Sequence, residues 1–350
     1  MMASEEKQHR TIEPVNHEIR EQARLHVDQL TKPLGSLGRL EELAIELAGM
    51  TGEAFPVVTP PGVLVFAADH GVAVEGISAY PQEVTAQMVL NMAHGGAGIN
   101  VFARQIGALQ KVVDVGVCSP VEAPGVYSKR IRAASGNMLR EAAMSAEEAE
   151  RSLAVGIEMA EAIIDEGAKV LIVGEVGIGN TTASSAVLAA LTGADPQTIV
   201  GRGTGLDDAG WQRKKAVVRE ALALHKPDAD KPLDVLAKVG GLEIGAMAGA
   251  ILGAASRRVP VLLDGFIATV AALLAVKIDA GVSDYLIAGH RSQEPGHAFV
   301  LEALGKEPLL DLHLRLGEGS GAAVAFPIVE AAARMIKEMA TFASAGVSDR

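Results

Sequence analysis

Cysteine is almost missing: Cys118 stands alone among 350 residues, so an internal disulfide is excluded and a reducing cytoplasm is the expected setting. That thiol follows an apolar run and reads as a small buried residue at a strand end rather than a nucleophile. Aromatic side chains make up only 3%, and basic residues are outnumbered, which leaves a formal net charge of -12. Such a balance argues against nonspecific attachment to nucleic-acid phosphates. Long uninterrupted apolar stretches are lacking as well. The longest, Val259–Val276, carries Asp264 and Gly265, so it reads as a strand, a turn and a helix rather than a membrane span. Residues Met1–Arg10 are polar and charged, unlike a secretory signal. A soluble protein with neither membrane nor nucleic-acid partners is expected. No His-x-x-His or Cys-x-x-Cys spacing suggests a metal site, and no Gly-x-Ser-x-Gly elbow suggests a serine hydrolase.

What the chain does have is glycine, 38 residues of it, within a composition that is 49% hydrophobic and rich in small aliphatic side chains. That suits closely packed helix and strand layers, with enough material for one large domain or two unequal ones. Helical spacing covers Glu18–Leu30 and then about Leu40–Met50, and no strand is expected before Val57. Short apolar runs follow at Val63–Ala68, Val112–Val117, Val170–Val173, Val261–Leu263 and Tyr285–Ala288. Helix-patterned segments separate them at Pro81–Ile106, Ala146–Gly167, Ser184–Leu191, Trp211–Ala223, Leu242–Ala255 and Ala268–Val276. The alternation predicts βαβ units and an α/β fold with a parallel sheet covered on both faces. A last helical stretch, Gly321–Ala340, is expected to pack on the N-terminal helices. The expected division is a small helical unit from 1–56 plus 322–350 and a large α/β unit from 57–321.

Acidic, histidine and glycine residues cluster just past the apolar runs, at what should be the carboxyl edge of the sheet, where ligands bind in such folds. Gly174-Glu175-Val176-Gly177-Ile178-Gly179-Asn180-Thr181-Thr182 follows one run and opens a helix. Its glycine spacing matches a phosphate loop, except that Asn180 replaces the lysine that engages a terminal phosphate. A glycine turn feeding a helix N-terminus still offers free N–H groups to a monophosphate, so Gly174, Gly177, Gly179, Asn180 and Thr181 are candidate contacts. Gly201-Arg202-Gly203-Thr204-Gly205, followed by Lys214-Lys215, is a second candidate anion cradle, with Gly201, Gly203 and one of the two lysines as contacts. At other strand ends stand Asp264, His290 and the pair Asp69-His70, the last expected to hydrogen-bond its own loop rather than bind metal. Tyr80 and Met88 either offer apolar surface to a flat aromatic ligand or fill the core. Near the end, Arg315-Leu316-Gly317-Glu318-Gly319-Ser320-Gly321 sets one carboxylate among glycines. Glycine lets a ligand approach the main chain, so Glu318 is either aimed at a small molecule or simply solvated on a turn. A nucleotide kinase and a non-catalytic nucleotide-binding module are the competing readings; the missing lysine weighs against the first.

Together these stretches resemble one family over nearly the whole chain, nicotinate-nucleotide–dimethylbenzimidazole phosphoribosyltransferase of cobalamin biosynthesis. Its markers are Lys32-Pro33-Leu34-Gly35-Ser36-Leu37-Gly38-Arg39-Leu40, Ala68-Asp69-His70-Gly71-Val72 and Gly174–Thr182. They continue with Lys238-Val239-Gly240-Gly241, Val261-Leu262-Leu263-Asp264-Gly265-Phe266 and Arg315–Ala322. The resemblance implies a Rossmann-like parallel sheet in three α/β/α layers, a small helical domain built from both chain ends, and a cytoplasmic homodimer. It implies nicotinate mononucleotide and 5,6-dimethylbenzimidazole as substrates, with no cofactor and no metal. Glu318 matches the family's catalytic base, and Glu175 and Lys214 match positions around the ribose and phosphate. Tyr80, Gln87 and Met88 fall in the base-binding loop, and Gly319 and Ser320 flank the base.

Overall fold

The structure, a computed structural model, describes residues 11–348; the polar Met1–Arg10 stretch lies outside them. Helices α1 (His17–Asp28) and α2 (Arg39–Thr51) precede β1 (Pro61–Ala68), α3 (Glu83–Ala93), α4 (Gly98–Gln105), β2 (Leu109–Gly116) and β3 (Val126–Ser128). Next come α5 (Ala146–Asp165), β4 (Val170–Val176), α6 (Asn180–Thr192), α7 (Pro196–Ile199), α8 (Asp208–His225), α9 (Pro232–Val239) and α10 (Leu242–Ser256). The chain finishes with β5 (Val261–Leu263), α11 (Phe266–Ile278), β6 (Leu286–Ala288), α12 (Pro295–Leu304), α13 (Ser320–Glu338) and α14 (Phe342–Ala345). Among the described residues no helix is long and apolar enough to cross a membrane.

All six strands pair in parallel, in the order β3-β2-β1-β4-β5-β6. The central strands are apolar along their length because helices cover both faces, and every residue of β1 is buried. The order runs outward from β1 in one direction and from β4 in the other. Neighbouring connections therefore leave opposite faces, and a crevice opens where β1 and β4 lie side by side, Gly62 opposite Leu171 through Ala67 opposite Val176. The five apolar runs thus became strands. The sixth, β3, was not anticipated: Val126-Tyr127-Ser128 is short, half exposed and at the sheet edge, so no apolar run marks it.

The helical expectations differ from the structure at several points. Pro81–Ile106 is two helices, because Gly95 takes a left-handed φ of 76° and ends the first. Helices α9 and α12 were missed; each begins at a proline, Pro232 and Pro295, the residue that suits a first helical position. Cys118 is exposed rather than buried, just beyond the end of β2. The two chain ends do meet: Thr31 N–H donates to Ala340 O, Phe342 N–H to Gln29 O, and α13 packs on α2. Helix α13 also packs on α4, β4 and β5, and buried side chains of both parts form one continuous core.

The long helices α5 and α10 pack closely because glycine and alanine line their seam. A Cβ on Gly156 would strike the Ala246 carbonyl oxygen and come within 2.6 Å of Ala250 N, both backbone atoms that cannot turn aside. Gly156→Ala is therefore expected to cost about 2 kcal/mol or more, read as a fall in Tm of roughly 3 °C or more by calorimetry.

Candidate active site

A cavity of about 570 Å³ opens at the carboxyl edge of the sheet, over the ends of β1 and β4. Many residues singled out from the sequence line it: Tyr80, Met88, Glu175, Gly177, Gly179, Asn180, Thr181, Gly203, Asp264, His290 and Glu318. Gly174, Gly201, Gly319 and Ser320 lie outside its lining and support it from behind, while Lys214 reaches it through Thr181. Gln87 is exposed on α3 and lies outside the lining that its helix neighbours Val84, Thr85 and Met88 join.

Glu318 sits just before the start of α13 in a left-handed conformation, φ 65°, with Gly317 at 86° and Gly319 at 88° on either side. A non-glycine residue in that region is strained, and here the surroundings hold it. Gly174 has no side chain, so the Glu318–Gly319 peptide can lie directly against it. Asp264 accepts from Gly319 N–H at 3.2 Å and Ala322 N–H at 3.0 Å, which fixes the turn to the end of β5 and caps α13. The Ser320 hydroxyl donates to Gly317 O at 2.6 Å and closes the turn. So held, the Glu318 carboxylate is buried and accepts from Ile99 N–H, at the start of α4, at 3.2 Å. Burial raises its pKa above the ordinary 4.5, opposed by that N–H and assisted by the nearby Asp264.

Glu175, at the end of β4, is buried beside it. Asn180 Nδ2 donates to its Oε2, the Glu318 N–H donates to it too, and a Cβ on Gly317 would run into its Oε1. Burial first, then Asp264, Glu243 and Glu318, push its pKa well above 4.5, which favours its protonated form. That was not foreseen from sequence, which set Glu175, Asp264 and Glu318 at one sheet edge but gave no sign of Glu243 or of the burial. His290 Nε2 stands 3.4 Å from Asp264 Oδ1, and its buried Nδ1 has no partner. Behind it, burial and His290 push His297 down to about 4. His297 is thus neutral: Nδ1 accepts from Ser292 N–H at 2.8 Å, which puts its proton on the Nε2 that meets Thr269 Oγ1 at 3.1 Å.

Another part of the lining brings together a helix N-terminus and a buried lysine. Gly179, φ 103°, turns the chain into the N-terminus of α6, where the helix dipole favours negative charge. The Asn180 amide is spent on Glu175 and does not stand in for a phosphate-loop lysine. The cation comes from α8 instead. Lys214 is fully buried and donates to Thr181 Oγ1 at 2.7 Å, whereas Lys215 lies over the Trp211 ring at 3.5 Å. That geometry separates two lysines the sequence left open. Burial lowers the Lys214 pKa to about 8, with Glu294 opposing. Bare Gly203 keeps the space beside Lys214 Nζ open, since a Cβ there would come within 2.9 Å of it.

The remaining wall carries apolar side chains. Ile77, Tyr80, Val84 and Met88 come from the loop after β1 and from α3, and Leu316 from the segment before Glu318. Ala79 N–H donates to Thr204 Oγ1 at 2.9 Å, and Arg315 Nη1 to Gly203 O at 3.4 Å, so loops from three parts of the chain meet at the mouth. Thr85, Ser292 and Glu294 also line the cavity and were missed. Glu294 and Ser292 precede the overlooked α12, and its Glu-Pro-Gly start was the available signal. The Asp69-His70 pair is spent inside the protein: Asp69 accepts from Cys118 N–H at 2.8 Å and His70 Nε2 meets buried Glu243 at 2.8 Å.

A sequence model of a family described as phosphoribosyltransferase matches residues 12–347. Nicotinate-nucleotide–dimethylbenzimidazole phosphoribosyltransferase of Chloroflexus aurantiacus is 54% identical over 340 residues, covering 97% of this chain and 97% of its own. The protein of the same name from Halalkalibacterium halodurans is 53% identical over 338 residues, covering 97% of this chain and 95% of its own. Among solved structures, CobT from Thermus thermophilus superposes with a TM-score of 0.92 at 50% identity, covering 95% of this chain and 100% of that one. Matched along nearly its whole length in sequence and in fold, the chain belongs to this phosphoribosyltransferase family.

Proposed function

We propose that this chain transfers the 5-phosphoribosyl group of nicotinate mononucleotide to 5,6-dimethylbenzimidazole, releasing nicotinate and forming α-ribazole 5'-phosphate for the lower ligand of cobalamin. The observation that carries the reading is the buried Glu318 carboxylate, held at one side of a cavity whose other side is the Lys214–Thr181 cradle. The phosphate rests on the N-terminus of α6, Thr181 and Lys214, and the flat acceptor lies along Tyr80, Val84, Met88 and Leu316. One acceptor nitrogen attacks ribose C1 as the bond from C1 to the pyridinium nitrogen breaks. The bonding pair returns to that ring and leaves neutral pyridine nitrogen, so the leaving group needs no general acid. The other acceptor nitrogen becomes acidic as its ring gains positive charge, and Glu318 takes that proton. A single displacement from the opposite face inverts the anomeric carbon from β to α.

Glu175 and Asp264 lie on the side where positive charge develops on the ribose. A carboxyl that burial keeps protonated before substrate binds is favoured to ionise once the pyridinium cation enters. The same reading carries a cytoplasmic homodimer and a small helical unit of 1–56 plus 322–350 set on the unit 57–321. The test is incubation of the purified chain with nicotinate mononucleotide and dimethylbenzimidazole, with products identified by mass. α-Ribazole 5'-phosphate and nicotinate are expected. A product that forms only with ATP would instead support a kinase.

A further inference from the structure

Most of the acceptor wall and the phosphate turn come from different chain segments, and one buried hydroxyl joins them. Thr85 lies in the first turn of α3, the helix that brings Val84 and Met88 to the cavity. Its Oγ1 accepts from Ile178 N–H, in the glycine turn before α6, at 3.1 Å, and the residue is almost wholly buried. Burial holds the neighbouring Asp69 carboxyl above its ordinary value, opposed by Cys118 N–H and then by this hydroxyl. A second tie holds the same end of α3: Gln82 Nε2 donates to His70 O at 3.1 Å. The Asp69-His70 strand end is thus the anchor of this second tie.

We propose that Thr85 is a positioning residue that sets the acceptor wall and the phosphate turn in register. The inference rests on the phosphoribosyl transfer proposed above. Both substrates keep their own binding groups when this link is cut. What changes is the distance and angle between the attacking nitrogen and ribose C1, and a misplacement of about 1 Å can cost about a hundredfold in rate. The link therefore acts on kcat more than on affinity.

Thr85→Val keeps the shape of the side chain and removes the acceptor for Ile178 N–H, whereas Thr85→Ser keeps it. The expected result is a kcat at least about tenfold lower for Thr85→Val, with KM for each substrate within about threefold, and near-normal kcat for Thr85→Ser. A normal kcat in Thr85→Val, an equal loss in Thr85→Ser, or a loss confined to KM overturns the proposal. Should Thr85→Val fail to fold, amide hydrogen exchange at Ile178 in the unaltered protein decides: slow exchange supports the link and free exchange removes it. An unaltered protein that makes no product counts against the phosphoribosyl transfer itself, and the Ile178 measurement still tests the link.

Discussion

Glu318→Gln is expected to bind nicotinate mononucleotide within about threefold of the unaltered protein while its kcat falls at least about a hundredfold. The amide matches the carboxylate in shape, and its oxygen can still accept from Ile99 N–H, so the turn has no reason to move. What disappears is the basic oxygen that takes the acceptor's proton. The pH dependence adds a second readout. Because burial holds this carboxyl above its ordinary 4.5 in the substrate-free protein, the acid limb of kcat/KM should lie above that value, the rate falling as the base is protonated. The glutamine variant should lack this limb. Stopped assays across pH measure both, and an unchanged kcat takes Glu318 out of the mechanism.

Lys214→Met should act in the opposite sense on stability and on binding. A lysine pushed from 10.5 to about 8 is held at a cost when charged, on the order of 3 kcal/mol for a shift of that size. Methionine fills similar space without the charge, so the substrate-free protein should gain stability even after Thr181 loses its donor. Affinity for nicotinate mononucleotide should fall at least about tenfold, because a buried cation no longer meets the phosphate. The sign with pH follows from the lowered value. Between about pH 8 and 10.5 the unfolded chain keeps a proton that the folded chain has released, so stability of the substrate-free protein rises with pH across that window. Nucleotide affinity should instead weaken as pH passes about 8. Calorimetric titration measures affinity and thermal melts measure stability; a methionine variant with normal affinity would place the phosphate elsewhere.

Sequence and structure agree where a local pattern forces a result. The continuous apolar runs had to be strands covered on both faces, and a glycine-rich turn had to lead from β4 into α6. The turn around Glu318 was visible for the same reason, since glycines flank the one carboxylate. What stayed hidden depends on partners far away in the chain. The choice between Lys214 and Lys215 is an exception: Trp211, four residues before Lys215 on the same helix face, takes that lysine and leaves Lys214 for Thr181. Gln87 sits one residue from Met88 yet is exposed, a difference of helix face that the expected Pro81–Ile106 segment did not resolve. The raised pKa of Glu175 comes from burial first and then from Asp264, Glu243 and Glu318, which only the fold assembles.

The peptide of Glu318 lies on Gly174, and Gly317 lies on Glu175, so residues made midway through translation wait for partners made almost last. Until those partners leave the ribosome, Glu175 and Asp264 lack the turn that covers them. Catalytic competence would then arrive abruptly with the final helix, and the half-made protein would have no dry pocket in which to misuse a labile nucleotide.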